Sequence, residues 1–286
     1  MSSSHGKNTD PMPPGSPRST GPERSGGRTL RGVGAAEFVE TRATRSLVAV
    51  RFEHVTKTYR LYKNDRARLK AALLPGTPYA AINANNDLSF TIDRGQSVAF
   101  LGRNGAGKST ALKMITGVTA PTSGLIEVHG RVSALLDLTA GFDPQLTGRE
   151  NLVLRSRLWG LTSEEITELL PGIIDFAEVG QYIDQPMRTY SAGMKARLGF
   201  SFASSLKPDI LILDEVLAVG DRAFSNKSLT RMQEIIARDG ITLLFVTHNL
   251  SSAAKFCTRA LVIDHGTLQF DGGIDEGIAY YENSTN

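Results

Sequence analysis

Gly102-Arg-Asn-Gly-Ala-Gly107-Lys108-Ser109 decides how this chain is read. The stretch satisfies G-x-x-x-x-G-K-[ST] at every fixed position. It follows a buried apolar run, Ser97-Val-Ala-Phe-Leu101, and opens an expected helix over Ser109–Ile115, which is the context the pattern requires. The residue types follow from the task of holding a polyphosphate. Gly102, Gly105 and Gly107 let backbone amides curl around phosphate oxygens with no Cβ in the way. The helix adds the positive end of its dipole. Lys108 reaches the β- and γ-phosphates as a point charge, and Ser109 offers a hydroxyl to Mg²⁺. Arg103, Asn104, Ala106 and Thr110 complete the nucleotide-contacting loop. A glycine-rich turn with an incidental Lys-Ser pair is the alternative, and the matching strand and helix disfavour it.

Working outward, such a loop needs a second, carboxylate-bearing strand. Ile210-Leu-Ile-Leu-Asp214-Glu215 supplies four apolar residues followed by two acids, at the end of a strand where α/β sheets bind ligands. Asp214 is expected to hold Mg²⁺ through water beside Ser109, and Glu215 to polarise an attacking water. His248 follows the strand Ile241–Val246 in Thr247-His248-Asn249, and of the five histidines it alone falls at that sheet edge near the γ-phosphate.

Strand-length and helix-length segments alternate through the rest of the chain. Val48–Val55 and Asp87–Ile92 read as half-buried strands. Between them, Asp65 is expected to cap a short helix over Arg66–Leu74, with Leu69, Leu73 and Leu74 on one face, stopped by Pro75-Gly76. A polar-loop region is expected after the Ser109–Ile115 helix, then helices at Glu150–Leu158 and Ser163–Phe176. Helix, strand 210–213, helix 224–238, strand 241–246, helix 250–257 and strand 260–263 follow. That alternation means a mostly parallel sheet covered on both faces.

Composition removes several function classes. Residues 1–46 hold seven Lys/Arg against four acids, while the other 240 residues hold 25 basic and 25 acidic side chains. A generally basic nucleic-acid-binding core is therefore disfavoured. Gly, Ser and Pro make up 19 of residues 1–46, a mix that reads as a disordered, solvated tail whose arginines could touch anionic lipid or a partner. The single Cys257 excludes an internal disulfide and a cysteine-based zinc site, and fits a reducing cytoplasm. No apolar run reaches the ~18 residues of a membrane span, and the N-terminus lacks an apolar signal core. Any membrane-spanning part is expected on another chain.

The loop motif names the ligand, not the task. Asn226-Lys227-Ser228-Leu229 lacks the aspartate of a guanine reader, so GTP is disfavoured. The deciding segment is Tyr190-Ser191-Ala192-Gly193-Met194-Lys195-Ala196-Arg197-Leu198. Here the chain resembles the ABC ATPases, whose signature reads L-S-G-G-Q-x-Q-R. Ser191, Gly193 and Arg197 match, while Tyr190, Ala192 and Met194 replace Leu, Gly and Gln. The Y-S-x-G-M-x-x-R-L form is similar to the subfamily that exports lipid-linked polysaccharides such as O-antigen and teichoic acid. Leu217-Ala-Val-Gly-Asp221 and the segment Leu138–Asn151 resemble that subfamily too, over about residues 48–282.

The resemblance implies an α/β fold of the P-loop NTPase, ABC ATPase type. Its parts are a mostly parallel RecA-like core sheet, an N-terminal antiparallel β part and an inserted α-helical subdomain. The implied division is a tail at 1–46 and an ATPase domain at 47–286, with 47–137 and 200–286 forming the catalytic core and 138–199 the helical signature subdomain. It implies that Tyr59 stacks on adenine, with Tyr62 as fallback, although an aromatic on a half-buried strand is more often simple packing. Asp137 takes the place of a metal-touching Gln, Gln145 lying too close to the following helix. The insertion at 63–80 faces a membrane partner or substrate, with a tolerated surface excursion equally open.

It further implies a homodimer holding two ATP and Mg²⁺. Ser191, Ala192, Gly193 and Met194 of one subunit would dock on the nucleotide of the other, with Asp221 at the interface. The partners are a separate transmembrane permease dimer and a lipid-linked glycan, with no nucleic acid, at the cytoplasmic face of the inner membrane. Some members carry a carbohydrate-binding sandwich after the ATPase; none is expected here. An ABC importer ATPase, or a soluble ABC ATPase acting on nucleic acid or the ribosome, are the rival readings.

Overall fold

Two sheets face each other across a shared apolar layer, and the helix that follows the phosphate loop lies between them. The chain was described from a computed structural model, which covers residues 26–31, 39–42, 47–74, 78–135, 138–139, 141–214, 221–237 and 240–285. In chain order the elements are β1 (Gly26–Arg31), β2 (Val39–Arg42), β3 (Val48–Leu61), α1 (Asp65–Leu73), β4 (Ala80–Asp93) and β5 (Ser97–Leu101). Then come α2 (Lys108–Ile115), β6 (Ser123–His129), β7 (Val132–Ala134), α3 (Gly148–Leu158), α4 (Ser163–Ala177) and α5 (Ala192–Ser205). The rest is β8 (Ile210–Asp214), α6 (Arg222–Ile236), β9 (Thr242–Val246), α7 (Leu250–Phe256), β10 (Arg259–Asp264), β11 (Thr267–Gly273) and α8 (Ile274–Thr285).

The core sheet has the order β11-β10-β5-β9-β8-β7. All of its pairings are parallel except β10 with β11. Its central strands β5, β8 and β9 each carry four apolar residues in a row because both faces are covered, and every residue of β9 is buried. The second sheet, β2-β1-β6-β3-β4, is antiparallel. Phe52 and Phe90 stack at 4.4 Å, and Phe90 meets Phe100 of β5 edge-on at 6.0 Å, joining the two sheets. Ala111, Leu112, Met114 and Ile115 of α2 are buried in that same layer. On the other face of the core sheet, Phe200, Phe224, Met232 and Phe245 build a second cluster. A third, around Leu152, Ile173, Met187, Tyr190 and Phe202, belongs to the helices α3–α5.

Local signals set the helix starts. Thr147 with Glu150, and Thr162 with Glu165, form reciprocal capping boxes at the heads of α3 and α4. At α1 the cap is Asn64, whose Oδ1 accepts from the Ala67 N–H at 2.8 Å, and Asp65 is the first helical residue. No residue of α1 is buried, and Leu69, Leu73 and Leu74 are exposed.

The structure departs from the sequence reading in three more places. The polar loop expected after α2 contains β6 and β7. Beyond β10 the chain continues as β11 and α8. The stretch read as a tail at 1–46 supplies β1 and β2, with β1 pairing directly on β6. A sheet edge is recruited by backbone hydrogen bonds, which a count of apolar side chains does not register.

Candidate nucleotide-binding site

The C-terminal edge of the core sheet gathers the chemistry. β5 runs between β10 and β9, and β9 in turn pairs with β8. Phe100 lies opposite Val246, and Asp214 opposite Val246 on the other side. The phosphate loop, His248 and the carboxylate strand thus leave adjacent strands at one level, with neighbours ~4.8 Å apart. A cavity of about 510 Å³ opens there, lined by Asn104 to Thr110, by Val246, Thr247 and His248, and by Ala84 from β4.

The loop's conformation is set from within and from β4. Lys108 Nζ donates to the carbonyl oxygens of Gly102 at 2.5 Å and Arg103 at 3.0 Å, which holds the ammonium over the loop. Gly107 begins the helix at φ +106°, and a Cβ there would lie 2.2 Å from the Ala84 carbonyl oxygen. Only glycine fits that contact. Asn85, fully buried, donates from its amide to the Gly107 carbonyl at 3.2 Å, tying β4 to the head of α2. The sequence reading missed Asn85 because a lone asparagine in Asn83-Ala-Asn85-Asn86-Asp87 carries no periodic or motif signal.

His248 is exposed at the cavity. It is followed by Asn249, which caps α7 by accepting from Ser252 N–H at 3.0 Å. Asp214 ends β8 at the same edge, and its side chain lies outside the described residues, as do Glu215 and Asp137 entirely. Tyr59 sits on β3 opposite Ile82, 38% exposed, with the Lys57 ammonium 5.1 Å from its ring centre, and does not line the cavity.

Ser191, Ala192, Gly193, Met194 and Asp221 are likewise not among the residues lining the cavity. Ser191 caps α5, its Oγ accepting from the Met194 N–H at 3.2 Å, so the first amides of α5 are presented at an exposed helix head. Tyr190, where the signature has Leu, is buried and donates to the Tyr182 carbonyl at 2.5 Å. Burial, with the Asp184 charge second, pushes its hydroxyl up to about 12. Asp221 caps α6, accepting from the Phe224 N–H at 2.9 Å, and pairs with Arg197. That amide first, with Arg197 contributing, holds its carboxyl below the usual range.

A phosphate loop on a parallel sheet, a carboxylate-ended strand two places along it and a histidine at the same edge define a P-loop ATPase. The family model described as ABC transporter matches residues 85–218. The O-antigen export system ATP-binding protein RfbB of Klebsiella pneumoniae is 44% identical over 244 residues, covering 82% of this chain and 98% of that protein. The teichoic acids export ATP-binding protein TagH of Staphylococcus saprophyticus is 42% identical over 239 residues, covering 84% of this chain and 90% of its own length. Among solved structures, a dimeric post-hydrolysis state of the ATP-binding cassette MJ0796 bound to ADP and Pi superposes with a TM-score of 0.60 at 21% identity, covering 79% of this chain and 98% of that one. The chain belongs to the ABC transporter family, among its ATP-binding, ATP-hydrolysing subunits.

Proposed function

We propose that this chain is the ATPase subunit of an exporter that moves a lipid-linked glycan across the bacterial cytoplasmic membrane. The observation that carries the reading is the near full-length match, above 40% identity, to proteins named for O-antigen and teichoic acid export. No helix among the described residues is long and apolar enough to cross a membrane, and the partner proposed is a separate permease dimer. The α1 hairpin suits a face turned to that partner. Residues 60–74 hold five Lys/Arg and one acid, and Leu69, Leu73 and Leu74 are exposed.

Two copies would bind head to tail, each completing the other's site with Ser191–Met194 and meeting at Asp221. The support is that these residues head an exposed helix and do not line their own subunit's cavity. Within a site, Lys108 and the loop amides bind and orient the phosphates, Glu215 takes the proton of the attacking water and His248 hydrogen-bonds the γ-phosphate. Ser109 on the cavity wall and Asp214 at the end of the next strand but one are hard oxygen donors on one edge. That donor set fits Mg²⁺, which keeps most of its remaining sites for water and phosphate. When bound, the ion neutralises charge on the β- and γ-oxygens. Asp137 remains the proposed second contact and Tyr59 the adenine platform.

The test is export in cells. Deleting the gene should leave lipid-linked glycan on the cytoplasmic side, restored by the wild-type chain and not by Lys108→Ala. Normal glycan export without the chain would end the proposal, as would accumulation of an imported solute defect in its place.

A further inference from the structure

We infer that Arg28 is a positioning residue for the phosphate loop: strand β1 carries its guanidinium to the C-terminal end of α2, the helix whose other end cradles phosphate. The inference rests on the cavity being the ATP site. It concerns a segment that sequence composition assigns to a solvated tail.

A helix leaves its last four C=O groups without intrahelical donors. In α2 three of them are met by the chain that follows: Leu112 by the Thr116 N–H at 2.9 Å, Met114 by the Gly117 N–H at 3.0 Å and Lys113 by the Thr119 N–H at 3.2 Å. The fourth, Ile115, accepts from the Arg28 guanidinium. Ile115 has no exposed surface, so water does not replace that donor.

The surroundings are shaped for the contact. Gly117, at φ +78°, lies against the guanidinium, and a Cβ there would stand 3.2 Å from Arg28 Nη1. The Nε of Arg28 is buried with no hydrogen-bond partner among the described residues, so the side chain's hydrogen bonding at this end of α2 falls to its terminal nitrogens. Burial pushes Arg28 below its ordinary value, yet an arginine stays charged at neutral pH. What offsets the cost of burying the cation is the negative end of the helix dipole. β1 is itself fixed, pairing residue by residue with β6 from Gly27 opposite His129 to Arg31 opposite Leu125.

The link to function is the shortness of α2. Eight residues rise about 12 Å from the Lys108 end to the Arg28 end. A helix this short is not stable on its own, so its ends are held by partners. Asn85 holds the head through Gly107, and Arg28 holds the tail. Loosening the tail lets the amides at the head lose their aim on phosphate.

The experiment uses the full-length chain. MgATP titration by calorimetry is compared for wild type, Arg28→Ala, Arg28→Lys and Arg28→Gln, with steady-state KM and kcat and the melting temperature of each. Arg28→Ala should weaken MgATP binding about 5-fold and raise KM alike, with kcat at saturation unchanged. Arg28→Lys should recover most of the affinity because it returns charge and donor, and Arg28→Gln less. A wild-type dissociation constant in Arg28→Ala would overturn the inference, even with a lower melting temperature, since the strand would then be merely structural. If Arg28→Ala does not fold, equal affinity in the Lys, Gln and wild-type proteins overturns it instead. Binding of MgATP by the wild type tests the cavity; the differences among variants test Arg28.

Discussion

Arg197, on the signature helix α5, donates to the carboxylate of Asp221, the residue that caps α6. The same guanidinium lies 3.6 Å from Glu178 at the end of α4 and 5.0 Å from the centre of the Phe224 ring. Lys227 completes the cluster, 2.6 Å from Glu178. One planar fork thus ties three helices together beside the segment proposed to meet a second subunit. Arg197→Ala should lower the melting temperature by several degrees, and Arg197→Lys should not restore it, because an ammonium cannot serve both carboxylates and stack on the ring. Asp221→Asn keeps the cap and should melt close to wild type. A wild-type melting curve for Arg197→Lys would show that charge alone suffices.

The contact between Gly107 and Ala84 makes a sharper demand. Gly107→Ala places a Cβ 2.2 Å from a backbone oxygen at a φ of +106°. MgATP binding should be lost while the circular dichroism of the sheet survives. Asn85→Ala, which removes the amide bond to the same residue, should cost about 1–2 kcal/mol of stability and weaken MgATP binding several-fold. Equal nucleotide affinity in both variants and wild type would mean that β4 does not shape the loop.

Much of this was legible in the sequence, and the reasons differ by element. The phosphate loop, β5, β8 and β9 announce themselves because a fully buried strand ending in a glycine-rich turn or an acid pair has few other uses. The capping boxes at Thr147 and Thr162 mark α3 and α4 for the same local reason. β6 starts with the weak signal Ser123-Gly-Leu-Ile and reads as loop by pattern, since its stability comes from pairing with β1 and β3. Arg28 and Asn85 were invisible: each matters through one carbonyl distant in sequence, Ile115 and Gly107, and no pattern within a window reports such a partner. His248 was found because its strand was, whereas Tyr59 was carried by resemblance and sits off the cavity wall.

Asn151 ties together the loop leading into α3. Fully buried, it accepts from the Asp143 N–H at 2.7 Å. Its two amide N–H groups are shared among the carbonyls of Asp143 at 3.0 Å, Leu146 at 3.2 Å and Thr147 at 2.9 Å. Asn151→Ala leaves those groups short of partners and should cost about 2–3 kcal/mol. In a domain of this size that lowers the melting temperature by roughly 5–10 °C. Asn151→Asp retains the acceptor and loses the donors, so it should be no better. A fall of under a degree in either variant would mean that the loop is held by other contacts.

Tyr190 makes the alkaline side of stability a test of the signature's departure from Leu. Its hydroxyl is raised from 10.0 to about 12, and Cys257, by burial, from 9.0 to about 12. A group whose folded value is raised contributes stability that is complete below the unfolded value and is lost as pH climbs through the folded one. Wild-type melting temperature should therefore hold to about pH 9 and then decline, first through the thiol and then through the phenol. Tyr190→Phe removes the donor to the Tyr182 carbonyl and should be less stable at pH 7 by about 1 kcal/mol. The gap to wild type should narrow between pH 10 and 12, because only the wild type has a phenol to ionise there. Melting followed by circular dichroism at half-unit steps from pH 8 decides it: a gap that stays constant across the range would mean that Tyr190 ionises alike in both states and that its burial is not felt.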